Sequence, residues 1–155
     1  MTSSLTDLAS TNPALTDLGW SPFFADQFAD HLAAIAAADA IDSADSGSPA
    51  TSGLPLTPFR IIEVHRAQLT GFGASGANIL TTPHETTGSF AVGDWVLADT
   101  LDQVQVRLTR TTELNRRAAG NDARIQLIAA NVDTIYITTS CNADFNPARL
   151  ERYLA

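Results

Sequence analysis

Arginine carries the most promising chemistry in this chain. All nine basic residues are Arg, and no Lys occurs. Arg107, Arg110, Arg116 and Arg117 fall within one strand-loop-strand segment, and His65-Arg66 ends an apolar run upstream. A guanidinium presents a rigid fork of donors that meets phosphate oxygens two at a time, so such a cluster points to phosphate recognition. Phe72 and Phe90 lie in adjacent stretches read as loops and offer flat faces on which unpaired bases stack. The competing reading keeps the arginines as solvated surface charge and the phenylalanines as loop anchors.

Other chemistries find no constellation. Gly71-Phe72-Gly73-Ala74-Ser75-Gly76 has the spacing of a dinucleotide-binding loop. That loop must open a helix whose amides face pyrophosphate, and Ala77 to Thr82 followed by Pro83 offers none, so the stretch is read as a hairpin loop. A Walker-type phosphate loop is excluded because its lysine is missing. His31, His65 and His84 are scattered over a helix, a strand and a loop, without the spacing of metal ligands. No Gly-x-Ser-x-Gly elbow occurs, and the single cysteine, Cys141, has no nearby histidine to act as a base.

Charge is distributed unevenly. The net charge is −8, and residues 1–59 carry Asp7, Asp17, Asp26, Asp30, Asp39, Asp42 and Asp45 with no cation among them. From Arg60 onward acidic and basic residues nearly balance. Such a chain repels nucleic acid on average, which argues against bulk DNA coating and for a local patch. A proteome-wide composition bias is the other account of the missing lysines. One cysteine rules out an internal disulfide framework, and no apolar run approaches the length of a membrane span. With no secretory signal at the start either, a cytoplasmic protein without membrane association is expected.

The elements that must position these residues follow from periodicity. Residues 1–14 read as a flexible tail and 15–42 as a helical segment, opened by Ser21-Pro22 with proline at the first helical position. Phe24, Phe28, Leu32 and Ile35 share one helical stripe, which requires a partner surface. Ser, Gly, Pro and Thr then mark 43–58 as a linker. Residues 59–130 change to short strands: Phe59 to Arg66, Ala77 to Thr82, Asp94 to Asp99, Gln103 to Thr109 and Arg124 to Ala130. Val104, Val106 and Leu108 alternate with Gln105, Arg107 and Thr109, the period of a sheet with one buried face. The fold class expected is mainly β: a five-stranded OB-fold barrel with an N-terminal helix, an SH3-like barrel being the alternative. Beyond it, 131–155 reads as the apolar strand Thr134 to Thr139 and a helix opened by Pro147, too little to close a core alone.

These residues resemble a known family. Pro58 to Arg66, Gly93-Asp94-Trp95-Val96, Arg116-Arg117, Ala129-Ala130-Asn131-Val132-Asp133 and Asp144-Phe145 to Arg149-Leu150-Glu151-Arg152-Tyr153-Leu154 look like the small ribosomal subunit biogenesis GTPases RsgA, also called YjeQ. Leu18-Gly19-Trp20 before a helix is similar to the opening of many members. The likeness runs from about Leu15 to Leu154 and rests on the combination of Asn-Val-Asp with Arg-Leu-Glu-Arg-Tyr-Leu. It implies an N-terminal OB barrel, a circularly permuted GTPase domain of which 131–155 is the incomplete start, and a zinc-binding domain. It also implies binding to the small ribosomal subunit and its rRNA, with GTP, magnesium and zinc required by a complete member.

The guanine-specificity motif, the phosphate loop, the magnesium motif and the zinc ligands of that family do not occur in this sequence. The chain is therefore expected to be the ribosome-docking part of such a GTPase, inactive in hydrolysis alone, with no catalytic, cofactor or metal site of its own. Arg66, Arg107, Arg110, Arg116, Arg117, Phe72 and Phe90 are the expected RNA-binding residues, with no DNA partner. The alternative function is a protein-interaction barrel without RNA affinity, favoured by the acidic net charge.

Overall fold

A computed structural model describes residues 12–46, 55–117, 125–140 and 146–154. Helix α1 (Pro13–Asp17) is capped by Asn12, whose side chain accepts from the Ala14 N–H at 3.0 Å, and Pro13 occupies the first turn. The Trp20 N–H reaches back to the Leu15 carbonyl and the Gly19 N–H to that of Thr16, both at 2.9 Å. This paired closure needs a left-handed residue at Gly19, where φ is +86°, and it brings Leu15 and Trp20 into one apolar cluster.

Helix α2 (Pro22–Ser46) starts on Pro22, as expected, but continues beyond Asp42 into the stretch read as linker. Half of that stretch, 47–54, lies outside the described residues, as do residues 1–11 of the expected tail. Phe24 and Phe28 are buried and Leu32 and Ile35 half-buried, so the predicted stripe is real. Its partner is a β-sheet.

Seven strands follow among the described residues: β1 (Thr57–Val64), β2 (Leu69–Gly73), β3 (Gly76–Leu80), β4 (Trp95–Ala98), β5 (Val104–Arg107), β6 (Glu113–Arg117) and β7 (Ile125–Ala130). The first five form one antiparallel sheet in the order β3-β2-β1-β4-β5, and β6 and β7 form a separate two-stranded ribbon. The expected barrel thus needs correcting in its membership. Of the strand expected over 124–130, the described residues 125–130 do not complete the main sheet, and β2 supplies the fifth strand instead. Among the described residues no ladder closes the sheet. Its two edges meet through a single parallel bridge, Thr81 to Gln103, where the Val104 N–H donates to the Thr81 carbonyl at 2.8 Å.

The Gly71 to Gly76 stretch is a hairpin rather than a cofactor loop, with Gly73 opposite Gly76 across the turn Ala74-Ser75. Gly71 and Gly73 sit within β2 because a Cβ there would come within 3 Å of the Phe59 and Leu80 side chains. A short 3-10 turn (Thr87–Ser89) leads into β4.

Two apolar clusters share β4. Phe59, Ile61, Leu69, Leu80, Phe90, Val96, Ala98 and Val104 pack together on one side of the sheet. On the other side Trp95, Leu97 and Leu108 meet Leu15, Trp20, Phe24 and Phe28. Trp20 stands edge-on to Trp95 with ring centroids 4.7 Å apart, the arrangement favoured by aromatic quadrupoles. Polar pins add to this contact. The Thr109 N–H donates to Gln27 Oε1 at 2.7 Å, and Arg60 Nη1 donates to the Leu18 carbonyl.

The expected strand Thr134 to Thr139 does not form. Thr134 to Ser140 is irregular and exposed throughout. A strand exists through ladder hydrogen bonds, and no described element runs beside this segment to supply them. Helix α3 (Pro147–Leu154) opens on Pro147 as expected. Replacing Trp20 with Ala is expected to cost about 3–5 kcal/mol, since it empties the contact between helix and sheet. Urea unfolding followed by far-ultraviolet dichroism checks this, and an unchanged midpoint would mean that the helix is not part of the folded unit.

Candidate nucleic-acid interface

The structure divides the predicted site residues between two roles. Arg110 follows β5 and turns inward onto Asp94, which is wholly buried at the start of β4. Its Nε lies 2.6 Å from Asp94 Oδ1 and its Nη2 2.7 Å from Oδ2, a two-pronged pair. Nη1 meets Glu113 at 2.7 Å and Nη2 also donates to the Ser89 carbonyl at 2.9 Å. The Asp94 bond, foremost, raises the Arg110 pKa further above its already high value, and the Arg110 bond holds Glu113 below the ordinary carboxylate range. Arg110 therefore has no fork left for phosphate.

Phe90 is also committed elsewhere, packed in the core at 5% exposure. It cannot stack on a base without leaving that core. Arg107 is half-buried, with its guanidinium carbon 5.7 Å from the Phe90 ring centroid and Nη1 donating to the Ser89 carbonyl at 3.4 Å. A cation over an aromatic face is attracted by the ring quadrupole, so Phe90 steadies Arg107 from within. An open cleft of about 400 Å³ runs along Arg107 to Glu113.

The remaining residues face water. Arg66 is exposed in the β1–β2 connection, where its carbonyl accepts from Thr87 Oγ1 at 3.1 Å. Arg116 is exposed on β6, its Nε donating to Gln126 Oε1 on β7 at 3.0 Å. Arg117 pairs with Ile125 through the backbone, and its side chain lies outside the described residues. Phe72 stands on β2 with 38% of its surface exposed. The seven residues thus do not form one patch: Arg116 sits on the ribbon, Arg66 and Phe72 on the main-sheet hairpins, and Arg110 and Phe90 inside.

Sequence reasoning missed the polar junction that seats the ribbon. Asn131 has a left-handed backbone, φ 54°, immediately after β7. Its Oδ1 accepts from the Thr111 N–H at 2.8 Å, and its Nδ2 donates to the Gly93 carbonyl at 2.9 Å. Its carbonyl accepts from Arg60 Nη2 at 3.2 Å, and a half-open groove of about 510 Å³ lies between this junction and β1. Gly93, φ +95°, has no room for a side chain, because a Cβ would fall 2.1 Å from the Ala130 carbonyl oxygen. The signals were present as Gly93-Asp94 and Asn131-Val132-Asp133, but their meeting is a tertiary fact.

His31, His65 and His84 stay apart, and among the described residues no group of three His, Cys, Asp or Glu is placed to hold a metal. Cys141 lies outside the described residues. The sequence has no lysine, the residue a Walker-type phosphate loop requires. No helix among the described residues is long and apolar enough to cross a membrane.

The fold and this surface define a small, mainly β module with a docked helix and an arginine-bearing ribbon. No protein-family model matches the chain. Curated relatives do. The small ribosomal subunit biogenesis GTPase RsgA of Mesorhizobium japonicum is 48% identical over 150 residues, which cover 96% of this chain and 37% of that protein. RsgA 2 of Vibrio vulnificus is 36% identical over 149 residues, again 96% and 37% of the two chains. RsgA of Xanthomonas euvesicatoria is 38% identical over 108 residues, 63% of this chain and 29% of that one. In the segment it spans, a little over a third of the length of the first two relatives, the chain belongs to the RsgA family.

Removing Arg110 strands a buried carboxylate, so Arg110→Ala is expected to destabilise the fold by about 3–5 kcal/mol. Arg116→Ala, on the surface, is expected to stay within about 0.5 kcal/mol. Chemical denaturation of the two variants tests the contrast, and equal midpoints would contradict it. Burial pushes the Asp99 carboxyl up, but the Gln103 and Leu101 N–H groups and the Gln105 amide outweigh this and leave it below its ordinary value. Its contribution is therefore complete above about pH 4 and is lost as pH falls through the lowered folded value. Asp99→Asn is expected to flatten the acid side of a stability–pH profile measured by thermal melting.

Proposed function

We propose that this chain is the ribosome-binding part of a GTPase acting in small ribosomal subunit biogenesis, and that it binds rRNA of that subunit. The observation that carries the reading is the likeness to proteins named small ribosomal subunit biogenesis GTPase over 96% of the chain. Within this reading the five-stranded sheet with its edges in contact is an OB-type barrel, and the protein works in the cytoplasm. GTP hydrolysis, with its magnesium, and zinc binding belong to parts of such proteins that this sequence does not include.

In this reading a subset of the candidate residues meets RNA. Arg116 and Arg66 are exposed, and the half-buried Arg107 lines an open cleft. Arg117 follows Arg116 on the ribbon. Phe72 offers the exposed aromatic face, while Arg110 and Phe90 serve the fold. The ribbon is a suitable arm because its base is fixed by Asn131 and Gly93 while β6 presents the exposed polar side chains of Glu113, Asn115 and Arg116.

Arg116→Ala combined with Arg117→Ala is expected to weaken binding to purified small subunits. It should also flatten the dependence of log affinity on log salt by about two units, one for each phosphate that loses its arginine. Filter binding at two or more salt concentrations measures both. A slope equal to that of the unaltered chain would remove the ribbon from the interface. No measurable binding by the unaltered chain would favour the acidic protein-interaction module instead.

A further inference from the structure

The short turn Thr87–Ser89 has partners on two sides. Toward the core, the Ser89 carbonyl accepts from Arg110 Nη2 at 2.9 Å and from Arg107 Nη1 at 3.4 Å. Arg110 is itself clamped by the buried Asp94, and Phe90, the next residue along, is packed in the core. Toward the surface, Thr87 Oγ1 donates to the Arg66 carbonyl at 3.1 Å, across 21 residues of sequence. A path of polar contacts thus runs from a buried carboxylate, through one turn, to an exposed loop.

The turn does not use the Thr87 hydroxyl for itself. Its own closure comes from the Ser89 and Phe90 N–H groups, which donate to the Thr86 and Thr87 carbonyls, both at 3.1 Å. The loop it reaches is the β1–β2 connection, closed by the His65 N–H on the Gln68 carbonyl at 3.0 Å, with Arg66 exposed inside it. The neighbouring acids are engaged elsewhere. Glu63 accepts from Thr70 Oγ1 at 3.0 Å and lies 3.2 Å from His65 Nε2, and Glu85 accepts from Ser89 Oγ at 2.7 Å. Among the described residues Arg66 makes no ion pair. Its charge is open to an anionic partner, and a loop that is already ordered loses less conformational freedom on binding one.

We propose that Thr87 is a positioning residue for RNA recognition, its hydroxyl holding the Arg66 loop in the conformation that meets a backbone phosphate. The proposal rests on the reading that this chain binds rRNA. Thr87 meets no phosphate itself and acts through Arg66. The same turn steadies Arg107 through the Ser89 carbonyl, so one short element sets two arginines of the main sheet, while Arg116 on the ribbon depends on the separate junction at Asn131.

Thr87→Val keeps the bulk of the side chain and removes its donor. In filter binding of the full 155-residue chain to purified small subunits over a salt series, this variant is expected to bind about three- to tenfold more weakly, as for one lost hydrogen bond, with an unchanged salt slope. Arg66→Ala should flatten the slope by about one unit. Thr87→Val combined with Arg66→Ala should bind no more weakly than Arg66→Ala alone, because two residues acting through one contact are not additive. Thr87→Ser should restore the affinity. Neither residue belongs to an apolar cluster, so the melting temperature should be the same in every variant. A second measurement needs no RNA: amide hydrogen exchange over residues 65–68 should quicken in Thr87→Val and not in Thr87→Ser. Exchange unaltered by Thr87→Val would overturn the proposal, as would full affinity in that variant, additive losses in the double variant, or a slope unmoved by Arg66→Ala. Each of these leaves the rRNA reading standing, whereas failure of the unaltered chain to bind would overturn both.

Discussion

The structure depends on one strand that must be covered on both faces. Along β4 the side chains of Trp95 and Leu97 point to the helix layer, and those of Val96 and Ala98 to the other apolar cluster. Trp95, Val96, Leu97 and Ala98 all have no exposed surface. A continuous apolar strand of this kind stays folded only between two layers, because stripping one layer returns large apolar side chains to water at about 1.5–3 kcal/mol each. The N-terminal helix is therefore an integral wall of the module. The glycine-closed end of α1, just before it, serves the same end by delivering Trp20 to Trp95.

Where the apolar strand begins, a polar junction takes over. Asp94 immediately precedes Trp95 and is as deeply buried, so its charge requires full compensation. Arg110 supplies both prongs, and the Ala91 N–H donates to Asp94 Oδ2 at 2.8 Å. One residue earlier, Gly93 leaves room for the Ala130 carbonyl, which lets Asn131 lock the end of β7 against Gly93 and Thr111. The ribbon thus inherits its position from β4. An arginine used as an internal clamp is withdrawn from the surface, and this is why the number of arginines overstates the phosphate-binding capacity of the chain.

Much of this was legible in the sequence where a single period governs a single element. The Phe24–Phe28–Leu32–Ile35 stripe announced a docked face, and the alternation from Val104 to Thr109 announced a sheet. β2 was not legible, because Gly71 and Gly73 read as loop residues. They are glycines because Phe59 and Leu80 occupy the space their side chains would need. β6 was hidden for another reason: Glu113, Asn115 and Arg116 are all exposed, and the strand carries no apolar alternation to betray it. The fate of the candidate site residues followed partners distant in sequence. Nothing near Arg110 says that Asp94, sixteen residues away, will claim it, nor that Phe90 will turn into the core while Phe72 turns out.

The uneven charge acquires a meaning from this geometry. With a net charge of −8, the chain repels a polyanion at long range, and only surfaces that bring arginine forward can approach one. The exposed acids Asp26 and Asp30 lie on α2, the wall that covers β4, while Arg116 lies on the ribbon. At physiological salt such fields fade within about 8 Å, so attraction at the ribbon survives repulsion from the helix only when the ribbon leads. An acidic body with a basic arm therefore selects orientation before it selects affinity.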